Sequence, residues 1–233
     1  MARANKVVAD SETTANDLLL QFPELKGRIE VALLGFEAPR STPGETAMDA
    51  SPPDDPYVVM LGCHRPRKNL DFALAVLSGL IDEGLEIQLL ITGDVHHSFK
   101  RALRRCPDSV RELGVLPKAD VFRLLRGAVA LFFPSRYEGF GLPVLEAMSA
   151  GCPVLALDIP INREIAGEAA WLLPGELGAW KKACKRLITC ASARAEMRER
   201  GFENLARFSW DTTAAIYGQI FKEVASFAKL STD

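Results

Sequence analysis

From residue 57 to residue 172 the chain alternates short β-rich runs with amphipathic stretches, and this rhythm constrains its fold more than any other feature. The runs at 57–61, 87–92, 110–113, 130–133, 153–157 and 170–172 read as strands. Those starting at 57, 87 and 130 are almost continuously apolar, as expected where helices cover both faces of a parallel sheet. The stretches at 70–82, 98–105, 118–126 and 143–150 carry helical spacing between them. Strands that alternate with helices in this way predict an α/β fold, a doubly wound, Rossmann-like parallel sheet.

The two ends of the chain behave differently. Residues 41–56, STPGETAMDASPPDDP, are rich in Pro, Ser, Asp and Gly and read as a flexible linker. Before them, 6–9, 13–20 and 29–34 make a strand–helix–strand fragment too small to bury a core alone. After Leu177 the pattern is helical to the end, with Ser209 as the N-cap of a last helix and Asp211 in its first turn. The expected organisation is therefore a fragment at 1–35, a linker at 36–56, a Rossmann-like domain at 57–208 and a last helix at 209–233.

Composition removes several function classes. A net charge of −2 over 233 residues supplies no global field for nucleic acid or anionic lipid. The five cysteines, Cys63, Cys106, Cys152, Cys184 and Cys190, form no C-x-x-C pair, which predicts buried thiols in a reducing compartment and no zinc site. His64, His96 and His97 are too few and too clustered for a histidine metal centre, so no metal is expected. No basic head precedes an apolar run at the N-terminus, and the longest apolar run, 128–133, is far short of a span. A cytoplasmic protein is the expectation, peripheral at most to the inner face of a membrane.

The chemistry concentrates in FPSRYEGFGLPVLEAM, residues 133–148. A buried strand ends at Phe133, a loop carries Glu138, Gly139, Phe140 and Gly141, and Leu142 and Pro143 open a helix. Glycines there allow the backbone close to a ligand, and N–H groups at a helix start attract oxygen or negative charge. The loop follows the carboxyl end of a parallel strand, where open α/β sheets bind ligands. Glu138 and Glu146, eight residues apart, offer two acceptor-only carboxylates for two different sets of hydroxyls. Glu146 as a solvated helix residue beside an ordinary turn is the plain alternative; a lone G-x-G would favour it, but the full string is far more specific.

A second cluster, Gly62 to Asn69, sets Arg65, Arg67 and Lys68 in one loop after the first sheet strand. Three cations there suit a diphosphate, although composition alone leaves a solvated basic loop equally open. It has no G-x-x-x-x-G-K-[ST], and no complete G-x-G-x-x-G occurs in the chain. Lys100, Arg101, Arg104, Arg105 and Arg111 read as a solvated face and Cys152 as a core residue.

Taken in order, Arg67-Lys68-Asn69, Leu90 to Gly93, Glu112 to Val115, Phe133-Pro134-Ser135, Glu138 to Pro143, Glu146 to Val154, Glu164, Gly167 and Phe208-Ser209-Trp210 resemble the C-terminal domain of the group 1 (family 4 type) glycosyltransferases, enzymes of the two-domain GT-B architecture. The likeness covers about residues 57–228, and Val8 to Glu12 resembles a segment near the end of the family's N-terminal domain. It implies a retaining, metal-independent hexosyl or mannosyl transferase of polysaccharide synthesis, with a nucleotide-diphosphate sugar as donor, no cofactor, and a saccharide or lipid-linked acceptor. By the same likeness Glu138 holds the transferred sugar as the catalytic-site carboxylate. Lys68 with Arg65 or Arg67 meets the diphosphate beside the main chain of Gly139, Phe140, Gly141 and Leu142. Glu146 holds the ribose, and the main chain of Gly114, Val115 and Leu116 faces the base. Cys63 departs from the pattern, standing where many members carry a second arginine. Most of the acceptor half is missing from the 233 residues, so a separate N-terminal-half partner or self-association is expected. A non-catalytic nucleotide-sugar-binding module is the competing reading; a flavodoxin-like or receiver domain lacks its acidic cluster or flavin loop.

Overall fold

The computed structural model describes residues 4–38, 53, 55–63, 65–95 and 108–230, of which 227–230 are described by backbone alone. The predicted helix at 98–105, His64, His96, His97, Cys106 and most of the expected linker lie outside the described residues.

The chain divides into two compact units, residues 38–205 and residues 1–37 with 206–233. In order, the larger contains β3 (Tyr57–Leu61), α2 (Leu70–Asp82), β4 (Gln88–Thr92), β5 (Val110–Gly114), α3 (Lys118–Gly127), β6 (Ala130–Phe133), α4 (Leu142–Ser149), β7 (Val154–Leu157), α5 (Pro160–Ala166), β8 (Trp171–Leu173), α6 (Leu177–Thr189) and α7 (Ala191–Leu205). Its sheet has the order β5-β4-β3-β6-β7-β8, with every pairing parallel. The strands therefore run outward in both directions from the β3–β6 pair, the topological switch point at which doubly wound sheets open a ligand crevice.

Burial explains the near-continuous apolar strands. Every residue of β3 and β6 is buried, because helices pack on both faces. In α2, Leu70, Ala73, Leu74, Leu77 and Leu80 repeat at helical spacing and enter the core. That core centres on Trp180 of α6, whose ring meets Phe72 and Phe132 edge-on at 5.4 and 5.6 Å. Its indole N–H donates to the Pro174 carbonyl at 2.9 Å, so the polar end of the ring is satisfied.

In the smaller unit β1 (Val7–Ala9) lies parallel to β2 (Ile29–Val31), joined by α1 (Glu12–Gln21). Ser11 caps α1 by accepting from the Thr14 N–H at 3.0 Å. The last helix, α8 (Trp210–Leu230), starts as expected, with Ser209 Oγ accepting from the Asp211 N–H at 3.2 Å. Thr213 anchors it by donating to the Leu33 carbonyl at 2.6 Å.

Two elements differ from the sequence reading. α5 (Pro160–Ala166) was not expected; at seven residues it is too short to show a helical period. The loop after β3 contains a 3-10 turn, Pro66–Lys68, that ends at Asn69 in the left-handed region with φ 57°. Among the described residues no helix is long and apolar enough to cross a membrane.

Candidate functional site at the switch point

The loops that leave β3 and β6 are adjacent because their strands pair, Val58 with Ala130 and Val59 with Leu131. Two hydrogen bonds join them. The Arg136 N–H donates to the Arg67 carbonyl at 2.9 Å, and Asn69 Nδ2 donates to the Pro134 carbonyl at 3.2 Å. The left-handed turn at Asn69 aims that amide across the gap, a role the sequence reading missed.

Between the loops, charges converge. Lys68 Nζ lies 2.7 Å from Glu138 Oε1, and both side chains are about 7% exposed. Arg67 Nη1 donates to Glu138 Oε2 at 2.5 Å and to the Tyr137 carbonyl at 2.6 Å. The Lys68 ammonium also sits 5.0 Å from the centre of the Phe133 ring, a cation–π contact. Burial is the largest influence on Glu138 and pushes its carboxyl up, but Lys68 first, then Arg67 and Ser135, outweigh it and leave the group below its usual value. Glu138 is thus an ionised, fixed acceptor. Lys68 and Arg67, placed by the sequence reading against a diphosphate, neutralise that carboxylate in this structure.

Glu146 occupies the second turn of α4, partly buried. Burial pushes its carboxyl above the usual value, with Lys118 and then Lys68 opposing from a distance. Among the described residues its carboxylate forms no ion pair or hydrogen bond. Gly141, at φ 102°, is the residue that turns the chain from loop to helix, and Val144 N–H closes the turn on the Gly141 carbonyl at 2.9 Å. Pro143 follows within the first turn, as expected.

The remaining candidates divide. Gly139 and Phe140 lie in the same loop, Phe140 buried, while Leu142, the first residue of α4, is exposed. Gly114 ends β5 with φ 65°, accepting from the Gly93 N–H at 2.6 Å, and Val115 beyond it is 77% exposed. Leu116 follows in the same connection to α3. Arg65 is exposed and is not drawn into the charge cluster. Cys63 is fully buried in the core, and burial pushes its thiol up to about 12, so it takes no part in the site. Of the two arginines, Arg67 is the one beside Lys68 and Glu138. The other described thiols, Cys152 and Cys184, are buried as read and Cys190 is half-buried, all unbonded to one another. The described residues hold no group of three or more His, Cys, Asp or Glu suited to a metal.

A six-stranded doubly wound parallel sheet with Arg67, Lys68 and Glu138 gathered at its switch point defines an α/β domain of the Rossmann-like class. The family description "Glycosyl transferases group 1" matches residues 45–204, and the chain belongs to that family. It is 27% identical over 251 residues to the D-inositol 3-phosphate glycosyltransferase of Gordonia bronchialis, covering 99% of this chain and 55% of that protein. It is 33% identical over 181 residues to the serotype-specific mannosyltransferase WbdA of Escherichia coli, covering 75% of this chain and 22% of that protein. In fold it resembles sucrose-phosphate synthase of Thermosynechococcus elongatus, with a TM-score of 0.78 at 21% identity, over 97% of this chain and 59% of that one. It also resembles Anabaena HepE, solved with UDP and glucose, with a TM-score of 0.75 at 17% identity, over 96% and 64% of the two chains. The chain spans about half the length of the first of these curated relatives. The GT-B resemblance read from the motifs is thereby established.

Proposed function

We propose that the switch-point crevice binds a nucleotide-diphosphate sugar and that the chain is the donor half of a retaining, metal-independent glycosyltransferase acting on a saccharide or lipid-linked acceptor. The observation that carries this reading is the convergence of Lys68, Arg67 and Glu138 between two loops at the carboxyl edge of the sheet. An incoming diphosphate would take over the two cations, freeing Glu138 to accept from the hydroxyls of the transferred sugar. Glu146, ionisable and without a partner among the described residues, would accept from the ribose. The main chain of Gly114, Val115 and Leu116 would line the base, with Gly139 to Leu142 beside the phosphates.

In that arrangement catalysis is electrostatic. The fixed cations stabilise the departing nucleoside diphosphate while an oxocarbenium-like sugar forms, so positioning and charge supply the rate. Glu138 and Glu146 contact one donor molecule and do not flank a bond between two sugars, unlike a glycosidase pair. HepE, whose structure holds UDP and glucose, supports a nucleotide-and-sugar occupant.

Titration calorimetry of this chain against a panel of nucleoside diphosphates tests the reading. One diphosphate should bind well above its own nucleoside, and no binding by any of them overturns the proposal. A second assay, with labelled sugar nucleotides and a crude acceptor pool, should show little transfer by the chain alone, since a closed, water-excluding cleft requires an acceptor domain. Robust transfer by a monodisperse monomer would place the acceptor site within these residues.

A further inference from the structure

The opposite edge of the same sheet carries a second basic site. A cavity of about 360 Å³ opens where the chain enters β3, β6 and β7, lined among others by Tyr57, Val129 and Pro153. It therefore lies about one strand length, roughly 15 Å, from the switch-point loops. Arg126 from the end of α3, and Arg194 and Arg198 from α7, line it, and Asp55 is the only carboxylate among its described lining residues.

Each arginine has donors to give. Arg194 caps α6 through Nη1, which donates to the carbonyls of Leu187 and, at 3.1 Å, of Ile188. Arg198 donates through Nε to the Gly151 carbonyl at 3.3 Å. Among the described residues none of the three meets a carboxylate. A guanidinium carries five N–H donors in a rigid fork, so these tethers orient Arg194 and Arg198 while leaving most of their donors unused. Helix capping accounts for the tethers, and the exposed Arg126 suits the C-terminal end of α3; what a helix-end role leaves unexplained is the gathering of three guanidiniums around one cavity. Asp55 and the helix C-termini, each worth about half a negative charge, offset much of the arginine charge. Such a site recognises its ligand by close bidentate contact and not by a long-range field.

We propose that this cavity is an anion site for a phosphate group, separate from the donor crevice. A small molecule in solution and a lipid headgroup are the two carriers of such a phosphate; the chemistry of recognition is the same, and two probes separate the sources. Inorganic phosphate is titrated into the full chain while the backbone amide signals of Gly127 and Gly151 are followed by NMR, with vesicles of phosphatidic acid in phosphatidylcholine as the second probe and pure phosphatidylcholine as the blank.

The variant is Arg126→Gln with Arg198→Gln, which spares the Arg194 cap; circular dichroism confirms its fold. Phosphate that shifts both glycine signals in the wild type, with about tenfold or greater weakening in the double variant, establishes the site with a soluble ligand. Sedimentation with phosphatidic acid vesicles alone, lost in the double variant, establishes it with a lipid source. A Lys68→Ala chain should respond to either probe like the wild type at this edge, which separates the site from the donor crevice. Glycine signals and sedimentation that stay unmoved, or that respond equally in the double variant, overturn it.

Discussion

The loop after β6 and the helix that follows it each present one carboxylate, and the protein treats the two in opposite ways. Glu138 in the loop is almost fully buried and clasped by Lys68 and Arg67, and its carboxyl lies below the usual value. Glu146 in α4 is also withdrawn from water but has no clasp, and its carboxyl is raised. Burial raises both; direct hydrogen bonds from Lys68, Arg67 and Ser135 set Glu138 apart, whereas Lys118 and Lys68 act on Glu146 only from a distance. Buried ion pairs return little net stability, because desolvation offsets most of their attraction. The charges around Glu138, with Arg67 still 35% exposed, therefore fit the proposed donor site better than a purely structural role, and the partly buried Glu146 carboxylate fits its proposed place on the ribose. One end of the segment holds its charges in reserve against each other, and the other waits open.

Removing Lys68 should disturb this contrast most. In Lys68→Ala, nucleoside diphosphate affinity should fall about ten- to a hundredfold, the value of a charge-assisted contact, while the bare nucleoside loses much less. Added salt should narrow the difference. Calorimetry with both ligands measures it, and equal losses would point to a folding defect in place of a lost phosphate contact.

Glu146→Gln probes the open end. Nucleoside and nucleoside diphosphate should both bind about 1–2 kcal/mol more weakly, since the ribose acceptor loses its charge. Yet the unliganded variant should melt slightly above the wild type, because a partly buried charge with no partner among the described residues has been removed. Equal nucleotide binding by variant and wild type rules out the ribose role; a lower melting temperature rules out the unpaired carboxylate.

Gly141 lies between the two carboxylates and sets their geometry. An added Cβ would have its nearest neighbours at 4.0 Å, so there is room for it, but φ 102° is unfavourable for any L side chain. Gly141→Ala should cost about 1–2 kcal/mol in denaturant unfolding, from backbone strain alone. A cost near zero would show that the loop relaxes, and with it the spacing of Glu138 and Glu146.

Much of this was readable in the chain. The β-rich runs located every strand of the large sheet to within a residue or two; the inner strands β4, β3, β6 and β7 are nearly all buried and apolar, while the half-exposed edge strand β5, with Arg111 and Glu112, was found from its place in the alternation. The two basic and acidic loops were identifiable from residue type and their place after strands. What could not be read was their pairing. Glu138 is 70 positions beyond Lys68, and they meet only because β6 returns beside β3, a fact of strand order and not of local sequence. The 3-10 turn that presents Arg67 and Lys68 carries no periodic signal, and neither does Asn69 in its left-handed turn. Cys63 was legible as a departure from the family pattern, but its complete burial depends on packing that only the folded core supplies.

The smallest effect separates the carboxylates by their titration. Both groups have a normal value of 4.5, about that of the unfolded chain. Glu138, lowered in the folded protein, contributes stability that is present above this value and disappears as pH falls through its folded value. Glu146, raised in the folded protein, contributes stability that is present below the unfolded value and disappears as pH rises through its folded one. Thermal midpoints of the wild type, Glu138→Gln and Glu146→Gln across the acidic range should therefore diverge in opposite senses. The Glu138→Gln deficit should be full at neutral pH and shrink below the unfolded value, as the wild type itself loses the charge that Lys68 and Arg67 hold. The Glu146→Gln gain should develop just above that value and then stay constant, since the wild type carries its unpaired charge at every higher pH. Two difference curves of the same sign would mean that the cations reach both carboxylates alike, and the contrast between clasped loop and open helix would collapse.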